Sequence, residues 1–520
     1  MSCSKFKVFF ICVIILCYTV PVLAVTYYVS PAGLSSANGT IANPLTFSTA
    51  IAKSLTAGDS IIVRGGLYSF NSMQTISKSG SSSKLLQIVA FPGEIPVFDF
   101  RTQPYNSSNQ GIKLSGSYVH VKGIIVQGGG DNGMQVTGSN NIIENCTFRW
   151  NSDSGLQMKT GSSNLILNCD SYYNFDYQTG GVSSPDYGGN ADGFADKQYT
   201  NTGTNTYKGC RAWGNSDDAW DSFEKIGNTA YDSCWSYANG PSTYDMTDHI
   251  RFKTDSATWF YQFKNTAGRY IITNYGNGNG FKLGGNYTAN NTVLRNCVAV
   301  ADKVKGFDQN NNNGTMTLYN CIAYNNQYNY GFSNSSYGSL IIKNCASLNS
   351  QKSNSFNSKT VTQSNNSWNS GFTCVAADFV SLDHTQLLNN RKEDGSLPEI
   401  TFLHQTSSSG LIDKGLNLGY AFSGLAPDLG AFEYNLYASI SNLNFDKTAI
   451  AYYSATAGGL VIKDNVRNIH IYNVVGNLIF EASELSANTI IPTDRWSGLI
   501  IFVISNQGLE QSFAQKILLK

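Results

Sequence analysis

The chain has 520 residues, 41% hydrophobic and 12% aromatic, with only 13% charged and a formal net charge of zero. Such a length exceeds one compact core, and the aromatic content excludes a disordered chain, which leaves several domains or an elongated repeat. No basic block is present to hold nucleic acid.

At the N-terminus, Lys5 and Lys7 precede the apolar run Val8 to Val20, and Val22-Leu23-Ala24 offers a small-residue cleavage site. This pattern predicts a secretory signal peptide over residues 1–24 and a secreted or cell-surface mature chain without an integral membrane segment. Cys3, Cys12 and Cys17 leave with it, and export permits disulfides among the rest. Thr26 to Pro31 and Gly65 to Tyr68 are expected to begin and cap a repeat.

The repeat is marked twice. Cys146, Cys169, Cys210, Cys234, Cys297, Cys321 and Cys345 each follow a short strand-like run. Five positions after each comes Asn151, Asn174, Asn215, Asn239, Asp302, Asn326 or Ser350. A small residue then precedes a bulky one, as in Gly133-Met134, Gly155-Leu156, Gly193-Phe194, Ala219-Trp220, Gly280-Phe281, Gly306-Phe307 and Gly331-Phe332. The period is about 22 to 26 residues, the signature of parallel β-helix coils. The cysteines are expected to form an inward column and the asparagines a hydrogen-bonded turn ladder; a disulfide framework is the competing arrangement.

Two insertions, about residues 175–189 and 240–275, interrupt the period and are placed to wall a groove. Ala426 to Tyr434 is expected to close the solenoid as a final strand. The fold class is therefore all-β: a right-handed parallel β-helix over 25–436, a linker at 437–445 and a small C-terminal β-sandwich over 446–520.

In phase, three coils carry Asn190-Ala191-Asp192-Gly193-Phe194, Asn215-Ser216-Asp217-Asp218-Ala219-Trp220-Asp221 and Asn277-Gly278-Asn279-Gly280-Phe281-Lys282. Side chains alternate along a strand, so inward Phe194, Trp220 and Phe281 require outward Asp221 and Lys282. Asp192, Asp217, Asp218 and Asp221 crowd together, and an oxygen-only cage of this kind suits Ca²⁺. Beside such a cation, Lys282 with a lowered pKa could take the C5 proton of a uronate and start β-elimination. A β-helix glycoside hydrolase using paired aspartates, or a non-catalytic polysaccharide-binding solenoid, remains open on these residues alone. Tyr172, Tyr173, Tyr237, Trp235 and Trp259 could stack on sugar rings but are read as packing, and Arg211, Arg251 and Lys253 could pair with substrate carboxylates but are read as solvated surface charge.

At these same three segments the chain resembles polysaccharide lyase family nine, over about residues 26 to 436. The resemblance implies a pectate- or rhamnogalacturonan-lyase-type enzyme acting on an acidic plant-type polysaccharide, and the chain is expected to be a monomer. It carries calcium ligation to Asp192, Asp217, Asp218 and Asp221, and the base to Lys282. The tail, in Ile471 to Ile479 and Lys516-Ile517-Leu518-Leu519-Lys520, is similar to type IX secretion sorting domains, which implies secretion machinery as a partner. A small carbohydrate-binding module is the alternative for it.

Overall fold

The computed structural model describes residues 24–177, 188–198, 203–251 and 264–434 of the main body, and 451–454, 456–463, 465–472, 478–493, 500–506 and 512–518 of the tail. All but the last residue of the expected signal peptide, and the whole expected linker, lie outside the described residues.

Three parallel sheets of 12, 10 and 10 strands wind into a right-handed β-helix. In one coil the chain runs through Ile142–Glu144, Thr147–Arg149 and Leu156–Met158, then returns at Leu165–Leu167 in register with its start. Strands of three residues suffice because each coil pairs its backbone with the coils on either side. The tight turn between the first two strands needs a left-handed residue, and Asn145, Asn168, Asn296, Asn320 and Asn344 supply it at φ between 50° and 58°.

The residue after that turn points inward. All seven repeat cysteines are buried free thiols, so the column forms and the disulfide framework does not. The Cys169 thiol donates instead to the Ile143 carbonyl of the preceding coil at 3.3 Å. The asparagine ladder also forms. The Asn151 side-chain amide donates to Asn174 Oδ1 (2.9 Å), Asn174 to Asn215 (2.8 Å), Asn215 to Asn239 (3.0 Å) and Asn239 to Asp302 (2.9 Å). Beyond Asn326 it departs from the spacing, passing to Asn329 before Ser350.

Inside the solenoid, Phe194, Trp220, Phe281, Phe307 and Tyr330 stack at centroid separations of 5.3, 4.6, 5.1 and 5.2 Å. The small residue before each of the first four rings is a packing requirement, whereas the Gly331-Phe332 pair expected from sequence falls out of phase: Phe307 registers with Tyr330, which Asn329 precedes. A Cβ on Gly193 would sit 2.7 Å from the Ala212 Cβ and 3.0 Å from the Asn215 side-chain nitrogen.

Residues 367–434 form a strap over the outer face of the sheet that includes Trp235–Tyr237 and Val298–Val300. Phe379, Phe402, Leu411 and Leu429 seal it. Ala426 to Tyr434 is not the expected closing strand. Asp428 accepts the Asp413 backbone N–H at 2.8 Å and that of Tyr434, so a carboxylate organises this irregular segment in place of sheet pairing. The tail has two small antiparallel sheets, Ala451–Ser454, Gly459–Ile462 and Ile490–Pro492, and Val466–Tyr472, Leu478–Leu485, Ile500–Asn506 and Ser512–Leu518. Leu460, Ile462, Ile469, Ile471 and Ile491 form their shared core. Among the described residues no helix is long and apolar enough to cross a membrane.

Candidate active site

Three successive strands of one sheet carry the site: Phe194–Asp196, Trp220–Asp221 and Phe281–Lys282. Their register places Phe194 on Trp220 and Trp220 on Phe281, and one residue on, Ala195 beside Asp221 and Asp221 beside Lys282. With the rings inside, Asp221 and Lys282 share the opposite face.

The insertions pack at the turns leading into this sheet, where the Tyr244 hydroxyl donates to the Gly214 carbonyl at 3.2 Å and the Asn274 side-chain amide to that of Ser216 at 2.7 Å. Thr243–Asp245 pairs antiparallel with Ile271–Thr273, and Phe175, Tyr177, Tyr244, Met246 and Ile272 form a separate apolar cluster that joins the two insertions. The returning chain grips the aspartates. Asn279 donates its backbone and side-chain N–H to Asp218 Oδ1 at 2.7 and 2.8 Å, and the Asn277 backbone N–H donates to Asp217 Oδ1 at 2.5 Å.

Asp192, Asp218 and Asp221 converge: each can offer a carboxylate oxygen within 4.8 Å of the others, and all three are buried. Asp217 stands outside this trio, committed to the Asn277 N–H, although it too is buried. Lys282 Nζ lies 3.0 Å from Asp218 Oδ2 and 3.4 Å from Asp221 Oδ1. A second ammonium, absent from the sequence reading, closes the other side. Lys197 Nζ bridges Asp192 Oδ2 at 3.0 Å and Asp221 Oδ2 at 2.7 Å. Its signal was available in the sequence: Lys197 lies two positions beyond Ala195, on the same outward face as Asp221.

The electrostatics follow from burial and from these contacts. Burial pushes Asp192 up to about 7 against the pull of Lys197, and it raises Asp217 and Asp218 as well. Asp221 is equally buried, yet Lys197 and Lys282 outweigh that cost and hold its carboxyl below the ordinary range. Burial alone would lower the Lys282 amine, but Asp218 and Asp221 overcome it and hold the ammonium well above its ordinary value. This differs from the lowered amine expected from the sequence, because carboxylates are the charges facing it; added positive charge among them would push the amine downward. With all four aspartates ionised, the two ammoniums leave two negative charges, which one divalent cation balances. Buried carboxylates with no histidine or cysteine among them are a donor set for a hard cation.

Several polar candidates are structural. Arg251 is fully buried and donates to backbone carbonyls of Arg101, Gln103 and Gly128, stitching the second insertion to the coils. Arg211 pairs with Asp170 at 2.8 Å and holds the strap through the Leu387 carbonyl. Neither is the solvated charge expected from sequence; Lys253 and Trp259 lie outside the described residues. Trp235 packs beneath Phe432, and Tyr172 stacks on Trp213 at 4.2 Å, while Tyr173 is 41% exposed.

A continuous β-helix with an acid-and-lysine cluster on one outer face defines a β-helical class of protein, and the comparisons name the family. The family described as "Pel9A-like, right handed beta helix region" matches residues 27–366. The chain belongs to that family. It is 36% identical over 425 residues to pectate lyase L of Dickeya dadantii (strain 3937), covering 79% of this chain and 90% of that protein. The solved structure of pectate lyase Pel9A superposes with a TM-score of 0.65 at 34% identity, covering 79% of this chain and 96% of that one. A rhamnogalacturonan lyase structure superposes with a TM-score of 0.61 at 25% identity, covering 74% of this chain and 97% of that one.

Proposed function

We propose that the protein is a calcium-dependent polysaccharide lyase that cleaves a uronic-acid polymer of the pectic class by β-elimination. The observation that carries this reading is the juxtaposition of Lys282 with the Asp192, Asp218 and Asp221 carboxylates on successive rungs of one face. Asp192, Asp218 and Asp221 are the ligands, with Asp217 completing the acidic cage. A Ca²⁺ ion held there would bind the substrate carboxylate and make the adjacent C5 proton more acidic.

Lys282 is the base. As a neutral amine it takes the C5 proton; the electrons form the C4–C5 double bond as the C4–O bond breaks. The departing oxygen takes a proton from water. Lys197 orients Asp192 and Asp221 from the side opposite Lys282. Hydrolysis by paired carboxylates fits less well. Glycosidases set two acids on either side of a scissile bond with room for sugar or water between them, whereas these carboxylates converge on one another and share ammoniums. The relatives named pectate lyase support a polygalacturonate substrate, and the rhamnogalacturonan lyase structure supports the alternative backbone.

The solenoid together with its strap, from residue 25 to about 436, is the catalytic unit, exported by way of the N-terminal signal. The tail is a sorting domain for a secretion system, supported by its compact antiparallel sheets.

The test incubates the purified protein with polygalacturonate and with rhamnogalacturonan, with calcium or with a chelator, and follows ultraviolet absorbance of an unsaturated product. Calcium-dependent absorbance is expected, and Lys282→Ala should lower the rate about 10³-fold, with the melting temperature in saturating calcium close to that of wild type. Sugar release without absorbance would establish hydrolysis instead.

A further inference from the structure

Phe223 takes no part in the chemistry above, yet the site fixes its position. The chain turns outward after Asp221, and the Phe223 backbone N–H donates to Asp221 Oδ1 at 2.8 Å, so a carboxylate of the cluster holds this turn. The phenyl centroid lies 5.6 Å from Lys282 Nζ, and the residue is 38% exposed. On the adjoining coil, Gly285 makes room for the ring; any Cβ there would collide with it. The two turns are tied together where the Asn286 side-chain amide donates to the Glu224 carboxylate at 2.7 Å. Scattered exposed apolar residues need no explanation. This one is held at the proton-abstracting amine by a carboxylate on one side and a glycine on the other.

Resting on the proposed reaction, we infer that Phe223 is the stacking platform for the pyranose ring whose C5 proton faces Lys282. In a galacto-configured uronate the axial C4 oxygen leaves the C3–H, C4–H and C5–H bonds together on one face. The amine must approach that face, and a phenyl ring beside the amine meets the same apolar patch. Aromatic faces favour such contacts, and a flat ring of two side-chain torsions loses little freedom in making them. Phe223 thus contacts substrate, setting the distance between C5 and Nζ without moving a proton itself.

The experiment compares Phe223→Ala, Phe223→Leu, Phe223→Tyr and Gly285→Ala. Turnover on polygalacturonate gives kcat and KM, and calorimetry gives oligogalacturonate affinity with each change placed in a Lys282→Ala background. Loss of the ring should lower kcat/KM about tenfold in Ala and Leu alike, mostly through KM, with a matching loss of affinity. Phe223→Tyr should stay close to wild type, and Gly285→Ala should lose part of the affinity by displacing the ring. Melting temperature and calcium affinity should not move. Equal affinity in Phe223→Leu and wild type overturns the inference. So does a loss in Phe223→Tyr as large as in Phe223→Ala, or an absence of oligogalacturonate binding by any of the proteins. If wild type binds through Phe223 but forms no unsaturated product, the lyase reading fails and the platform stands.

Discussion

Two ladders climb the same coils, one of amides and one of acids, and on one coil Asn215 of the first stands only three residues before Asp218 of the second. In the first, each asparagine donates its side-chain amide to the next and accepts from the previous, so the column is self-sufficient and neutral. In the second, Asp192, Asp218 and Asp221 can only accept, and Lys197 and Lys282 are interleaved with them. Identical side chains in register on successive coils are therefore structural when they carry both donor and acceptor. When they carry one kind alone, something of opposite charge must be supplied, and that is where chemistry can enter.

The sharpest way to break this contrast is to remove a counter-charge. Lys197→Met leaves Asp192 and Asp221 facing each other and should cost about 3 kcal/mol in denaturant unfolding under chelator. Added calcium should restore most of that loss; no recovery would mean that the acids are not a cation site. Cutting the amide ladder should cost somewhat less. Asn174→Ala strands the Asn151 side-chain amide and backbone N–H, for about 2 kcal/mol of unfolding free energy, with calcium affinity unaffected.

A third change converts one ladder's chemistry toward the other. Asp302 is the acid inserted in the amide column, and burial pushes it up to about 7 despite hydrogen bonds from Asn239 and Ser236. A carboxyl raised in the folded state keeps its proton where the unfolded chain has lost its own. Its stabilising contribution is full below about pH 4 and is lost as pH rises through about 7. Asp302→Asn restores the amide used on other coils, and should stabilise the protein by roughly 1–2 kcal/mol at pH 8, with the gain shrinking toward pH 4. Unfolding midpoints across that range check the sign. The smallest effect concerns the thiols: because all eight cysteines described are free, a reductant should leave the melting temperature unchanged.

What recurs was legible in the sequence. The cysteine column, the asparagine ladder and the stacked rings announce themselves because one residue type returns each turn at a fixed phase, and that phase aligned Asp221 with Lys282. Lys197 escaped because it occurs once and its partner Asp221 is distant in the chain, though adjacent across the register Ala195 to Asp221. Arg251 escaped for a similar reason, since its acceptors are carbonyls of far-earlier coils exposed by no periodic feature. The strap over 367–434 has no period, and its Asp428-centred turn resembles a strand only in its apolar spacing.

The unpaired thiols carry one further consequence. Because a single cysteine marks each of seven coils, the interior holds a graduated scale along its long axis. A thiol-reactive label applied during partial denaturation would tag coils in the order they open, and peptide mass analysis would read from which end the spiral unwinds.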